Sequence, residues 1–260
     1  MPYCAATQAQ KQAFLQALRA SKNADGEKSG IGTLTEKSLH RALKYYLEPL
    51  PDLHEHKIGA FYADIFNENG ITEVQTGSFF PLRKKLATFL PLTPVTVVHP
   101  LPYEKTLLTI DSESGEVLAK RRSPRRETIY TCARELYWLR DFLNHENLTL
   151  RFLFLAGEEY RIASAQGQSK SLGFVPTALL GEHTLHTAQD YRALIPEQCG
   201  AEFTVSALRD AVGGQQKTVR FLVYAMQYAG FCRECGKDGR KKLYTLKDNA
   251  QKRKKEAKSP

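Results

Sequence analysis

The sequence predicts an α/β protein: a mixed central sheet flanked by helices, followed by a small C-terminal winged helix-turn-helix domain. Three observations predict it. Short apolar runs broken at Asn69-Gly70, Gly77-Ser78 and Ser114-Gly115 alternate with amphipathic stretches over residues 31–165. The run Pro94-Val95-Thr96-Val97-Val98-His99-Pro100 is nearly continuous in β-branched residues, which suits an interior strand buried on both faces. Residues 201–247 read as helix, Gly213-Gly214 turn, longer helix and basic hairpin.

The totals fit this reading. A chain of 260 residues holds one large domain or two modest ones. A hydrophobic fraction of 42% and a charged fraction of 25% are those of an ordinary folded protein. A net charge of +9 favours an anionic partner, nucleic acid before an acidic membrane surface. No apolar run approaches the ~18 residues of a membrane span, so no membrane partner is expected. The opening MPYCAATQAQKQAFLQALRASK has no signal-peptide core. Five cysteines without disulfide-like spacing point to a reduced, cytoplasmic setting.

Taken in order, residues 1–30 are expected as a helical appendage and linker, with Phe14, Leu15 and Leu18 as a small apolar face. Residues 31–165 form the α/β domain. Thr33 or Thr35 can cap a helix carrying Leu39, Leu43 and Tyr46 at helical spacing; it stops before Pro49 and Pro51. His40 on that helix is expected at its surface. His54–Gly59 is a first strand. Phe61–Phe66 and Ile71–Val74 flank Asn67-Glu68-Asn69-Gly70, a strong hairpin signal because Asn and Gly tolerate positive φ. A helix follows over Phe79–Leu90, then the Val95–Val98 strand, a hairpin around Ser112–Gly115, a helix over Ile129–Leu143 and a strand over Leu148–Ala156. Residues 166–200 are expected as a connector, 201–247 as the winged helix and 248–260 as a basic disordered tail.

The acids of the first hairpin carry the candidate chemistry. Asp64 lies inside one apolar strand and Glu73-Val74-Gln75 in the next, and a buried acid is costly unless compensated. A two-residue loop pairs Asp64 with Gln75, and a four-residue loop pairs it with Glu73. Either parity gathers Asp64, Glu73 and Gln75 on one face. A hard cation such as Mg²⁺ (or Mn²⁺) takes one or two carboxylates, waters and substrate phosphate. Asp64 and Glu73 would supply the carboxylates and Val74 a carbonyl. Glu36 on the preceding helix could extend the site, and Gln75 would orient a water.

The order of helix Glu36, strand Asp64, Glu73-Val74-Gln75 on the next strand and then a helix resembles the PD-(D/E)XK nucleases. It is similar to the Holliday-junction resolvases and restriction-type enzymes among them, and to a bacterial family joining such a core to a C-terminal DNA-binding module. The resemblance implies a restriction-endonuclease-like core in which Glu36, Asp64 and Glu73 bind Mg²⁺. Gln75 stands where that superfamily has a lysine, a variant found in some of its branches, and Lys84 or Lys85 on the following helix could supply the missing charge. The implied activity is metal-dependent DNA hydrolysis. The alternative is a non-catalytic DNA-binding regulator with a degenerate core.

DNA contacts are expected at two places. Lys120-Arg121-Arg122-Ser123-Pro124-Arg125-Arg126 has five cations in seven residues and suits phosphate contact through Arg121, Arg122, Arg125 and Arg126. Gln215, Gln216, Lys217 and Arg220 open the expected recognition helix, and Lys237, Arg240, Lys241 and Lys242 lie on the expected wing. A homodimer is compatible with this organisation. Cys232-x-x-Cys235 lacks the further ligands that zinc requires and reads as structural.

Overall fold

The computed structural model describes residues 3–23, 36–163 and 169–247. It divides into two units, Met1–Ile129 with Asn147–Leu185, and Tyr130–Glu146 with His186–Pro260. Residues 24–35, with most of the expected linker and the expected caps Thr33 and Thr35, and the tail 248–260 lie outside the described residues.

The first unit is mixed α/β. Its described strands are β1 (Cys4–Ala5), β2 (His54–Ile58), β3 (Phe61–Asn67), β4 (Gly70–Val74), β5 (Val95–Ile110), β6 (Val117–Arg122), β7 (Leu148–Ile162) and β8 (Lys170–Leu185). They form one sheet in the order β1-β8-β7-β5-β4-β3-β2, with β6 paired to β5. β4 and β5 run parallel, as do β5 and β7. The remaining pairs are antiparallel. The helices are α1 (Gln8–Asn23), α2 (Glu36–Leu47) and α3 (Leu82–Phe89), the last joining the parallel pair β4–β5.

Apolar periodicity decides how the helices dock. Leu39 and Leu43 of α2 and Phe14 of α1 are buried in one cluster with Val74, Val98, Leu153, Leu155 and Leu179 from four strands. α3 buries Leu82, Leu86 and Phe89. Residues 1–30, expected as an appendage, therefore contribute to the core through Phe14. β1 pairs with β8 at Cys4↔Glu182 and Ala5↔Gly181. That approach requires a glycine, since a Cβ at Gly181 would lie 2.2 Å from the Cys4 carbonyl oxygen.

The segment expected as a connector, 166–200, instead contributes β8, whose register with β7 shifts at three points. Leu179 and Leu185 are buried, but its half-exposed pattern carries little of the apolar alternation that marks a strand in sequence. The Val95–Val98 run is the start of a 16-residue strand that continues through Pro100 and Pro102. The helix expected over Ile129–Leu143 is shorter, α4 (Ala133–Trp138).

In the hairpin, β3 and β4 pair as Ile65↔Thr72, Phe66↔Ile71 and Asn67↔Gly70. This is the register of the four-residue loop, with Asn67 and Gly70 drawn into the ladder and Glu68-Asn69 left at the turn. Gly70 sits at φ 102°, and a Cβ there would lie 2.3 Å from the Pro94 carbonyl oxygen. Only glycine meets both demands.

The second unit holds α4, α5 (Ala188–Arg192), β9 (Glu202–Phe203), α6 (Val205–Val212), α7 (Gln216–Tyr228), β10 (Cys232–Asp238) and β11 (Lys241–Leu246). Its sheet order is β10-β11-β9. Thr204 caps α6 by accepting the Ala207 N–H. α7 buries Val219, Leu222, Val223, Ala225 and Met226. Its other side meets α4, where Tyr137 and Phe221 lie 5.4 Å apart.

Candidate functional site

Three adjacent strands bring three acids to one level of the sheet. The pairs His54↔Ile65 and His56↔Ala63 put Glu55 of β2 beside Asp64 of β3. One step beyond Ile65↔Thr72, Glu73 of β4 faces Asp64. Asp64 is 9% exposed and Glu73 2%. Desolvating a carboxylate costs several kcal/mol unless charge and hydrogen bonds compensate it.

The compensation is specific to each acid. Asp64 Oδ2 accepts the Val74 N–H at 2.8 Å and lies 3.2 Å from His40 Nε2 on α2. Glu73 Oε2 accepts from Lys85 Nζ on α3 at 2.7 Å, and its Oε1 accepts the Asp64 N–H at 3.4 Å. Each carboxylate thus takes a main-chain N–H from the opposite strand, so the side chains replace ladder carbonyls and the acids hold each other in place. Glu55 adopts φ 56°, turns out of the ladder and pairs with Lys44 of α2, which is itself 6% exposed.

The two buried acids titrate in opposite directions. Burial raises the Asp64 carboxyl, but the bond and charge of His40, the Val74 N–H and the Lys85 charge together bring it below its usual value. Burial and then the Asp64 charge push Glu73 up to about 7, with Lys85 pulling back. Near neutral pH Asp64 is therefore ionised, while Glu73 is partly protonated beside Lys85.

Two adjacent carboxylates offer the oxygen ligands that suit a hard divalent ion completed by water and phosphate. Among the described residues no cluster of three or more His, Cys, Asp or Glu side chains has metal-holding geometry. A Mg²⁺ site here would accordingly rest on Asp64 and Glu73 with ligands from main chain, solvent and substrate.

Other expected residues are placed differently. Glu36 opens α2 one turn before His40, and its side chain lies outside the described residues. Val74 engages Asp64 through its N–H. Gln75 donates its side-chain amide to the Ser78 carbonyl at 2.7 Å, and its own carbonyl lies 2.5 Å from His99 Nδ1. Its amide is thus directed to the following turn rather than to the acids.

The expected phosphate loop is partly neutralised. All six residues of β6 are exposed. Arg122 pairs with Glu104 and Lys120 with Glu158, while Arg126 stacks on and bonds to Tyr103. Arg121 and Arg125 also lie on this exposed stretch.

In the second unit Gln216, Arg220, Arg240 and Lys241 line one cleft of about 280 Å³ with Tyr224 and Tyr244. Gln215 caps α7 without a side-chain bond. Lys217 lines a separate cleft against Tyr137 and Trp138 of α4. Lys237 lies across from Lys242, which pairs with Glu234. Cys232 is buried with its thiol on the Val223 carbonyl, whereas Cys235 occupies the bulge of β10.

His40 and Glu55 enter the site without having been expected there. The spacing Glu36–His40–Lys44 was a signal for one helix face. The equal intervals from Glu55 to Asp64 to Glu73 were a signal for one row across three strands.

Residues 37–180, more than half of the chain, match the family described as "Domain of unknown function (DUF8091)", and the chain belongs to that family. The match spans α2 through much of β8 and so includes His40, Asp64, Glu73 and Lys85. A protein of Treponema pallidum (strain Nichols), described as an uncharacterized protein, is 32% identical over 141 residues. The alignment covers 54% of this chain and 56% of that protein, so the chain spans about half the relative's length. No solved structure matches.

Proposed function

We propose that the first unit is a Mg²⁺- or Mn²⁺-dependent DNA phosphodiesterase with a restriction-endonuclease-like core, and that the second is a winged helix that holds the DNA. The observation that carries this is the buried Asp64–Glu73 pair, interlocked through main-chain N–H groups and flanked by Lys85. Its order along the chain agrees with the PD-(D/E)XK resemblance, and Lys85 supplies from α3 the cation that Gln75 does not supply from β4.

When bound, the ion would lower the pKa of a bound water and offset charge on the scissile phosphate. Asp64 and Glu73 would hold it. Val74 N–H and His40 orient the Asp64 carboxylate, as outer partners do for metal ligands generally. Lys85 favours the ionised Glu73 that a metal requires, and places a positive charge beside it.

The order helix, turn, helix, hairpin in the second unit supports the winged-helix reading. So does the cleft that gathers Gln216 and Arg220 of α7 with Arg240 and Lys241 of the hairpin. Lys217 faces α4 instead and is assigned a lesser part.

The test is incubation of plasmid DNA with Mg²⁺ or Mn²⁺, beside Asp64→Ala and Glu73→Ala. Nicking or linearisation by the wild type, lost in both variants and in EDTA, is the expected result. The second reading is a DNA-binding regulator with a degenerate core, favoured by the commitment of the Gln75 amide to Ser78. No cutting under either metal, with salt-sensitive DNA binding intact, would establish that reading over the first.

A further inference from the structure

Beside the acid pair, the first unit has a cleft of about 350 Å³ lined by Lys37, His40, Arg41, Lys44, Glu55 and Thr76. Lys37, His40, Arg41 and Lys44, set at i, i+4 spacings on α2, line it together with the Glu55 carboxylate of β2. His40 belongs to both places, since its Nε2 lies 3.2 Å from Asp64 Oδ2. Lys44 is buried, and a buried ammonium needs an anion. Glu55 provides one, at the expense of a left-handed backbone that a non-glycine residue rarely adopts. Most of the Glu55 side chain remains in solvent, at 62% exposure. Its carboxylate therefore sits at the mouth of a basic cleft, where an incoming anion can take its place.

We propose that this cleft is a phosphate subsite, distinct from the Asp64–Glu73 pair, that receives a phosphate of the nucleic-acid strand flanking the one at the acids, with Glu55 as the internal anion it displaces. A phosphate offers several acceptor oxygens, matching the fork of Arg41 and the point charges of Lys37 and Lys44 better than a carboxylate does. The choice of a strand as its source rests on the nucleic-acid reading above.

The test uses the full chain in EDTA, so it is independent of cleavage. Binding of a fluorescein-labelled 20-base-pair duplex is followed by anisotropy across a salt series. Lys37→Ala with Arg41→Ala should weaken binding about tenfold and lower the salt slope by about two. Lys37→Ala alone, at an exposed position, should lower it by about one with an unchanged melting temperature. Glu55→Gln should tighten binding at least threefold, while Glu68→Gln, at the exposed β3–β4 turn, should leave it within 1.5-fold. Inorganic phosphate should compete less well against the double variant than against the wild type.

Unchanged affinity and slope in both lysine-containing variants would overturn the subsite. So would equal effects of Glu55→Gln and Glu68→Gln, which would show general charge rather than displacement. Competition by inorganic phosphate with duplex binding unaffected in the variants would overturn the strand as the source. Failure of the nuclease reading would show separately, as absent cutting in Mg²⁺ and Mn²⁺ with these binding differences preserved.

Discussion

The β3–β4 and β10–β11 hairpins each turn on two residues, Glu68-Asn69 in one and Gly239-Arg240 in the other. Each carries a concentration of like charge. In β3–β4 the acids Asp64 and Glu73 are buried, and every compensating group is particular: two N–H groups, one histidine, one lysine. In β10–β11 the cations Lys237, Arg240 and Lys241 stand in solvent. Water screens the second set, so its charges act additively and weakly. Low dielectric couples the first set, so removing one member changes the others. Burial, rather than hairpin geometry, separates charges coupled one to another from charges that act singly.

The sharpest break of this contrast is removal of an acid. Asp64→Ala or Glu73→Ala should lower the proposed metal-dependent cleavage by on the order of 10²–10³-fold, measured on plasmid DNA, with duplex binding in EDTA nearly unchanged. A variant that cuts normally would remove the acids from the mechanism.

Next in size is Lys85→Met, which strands the Glu73 carboxylate. It should destabilise the protein by about 3 kcal/mol at pH 8 and by much less at pH 5, where the carboxyl is protonated. Urea unfolding at the two pH values reads this directly. Equal losses would mean that Lys85 acts through packing alone. Gly70→Ala should cost about 2 kcal/mol or more through its φ of 102° and the Pro94 carbonyl at 2.3 Å.

The pH dependence tests the coupling itself. Glu73 binds its proton more tightly folded than unfolded, with a pKa of about 7 against 4.5. Its protonated form therefore contributes stability that is full below about 4.5 and is lost as pH rises through about 7. Asp64 works the other way, contributing stability above its ordinary value of 3.8 that is lost as pH falls through its lowered folded value. Melting temperature should accordingly decline between pH 5 and 7.5, and Glu73→Gln should flatten that decline. Mg²⁺, if it binds as proposed, competes with the Glu73 proton, so its stabilising effect should grow over the same range and level off above it.

The smallest effects belong to the exposed hairpin. Arg240→Ala or Lys241→Ala should each weaken duplex binding about threefold and reduce the salt slope by about one. Larger, salt-independent losses would show that these side chains read bases rather than phosphates.

The local features were legible in sequence. Asn67–Gly70 announced the hairpin and Gly213-Gly214 the turn before α7, because the positive φ of Gly70, Gly213 and Gly214 is satisfied within a few residues. The period-2 pattern also brought Asp64 and Glu73 together under the four-residue loop, since register parity follows from loop length alone. Tertiary structure decided what surrounds them. His40 was expected at a helix surface and instead meets Asp64; Lys85 rather than Lys84 reaches Glu73; Glu55 leaves its ladder for Lys44. Likewise Phe14 entered the core and residues 170–185 became a strand through packing with distant segments. A chain's local chemistry fixes which groups a strand or helix presents, but partners from β2, β4, α2 and α3 are set by how those elements dock. The charge balance of buried Asp64 and Glu73 exists only once they have.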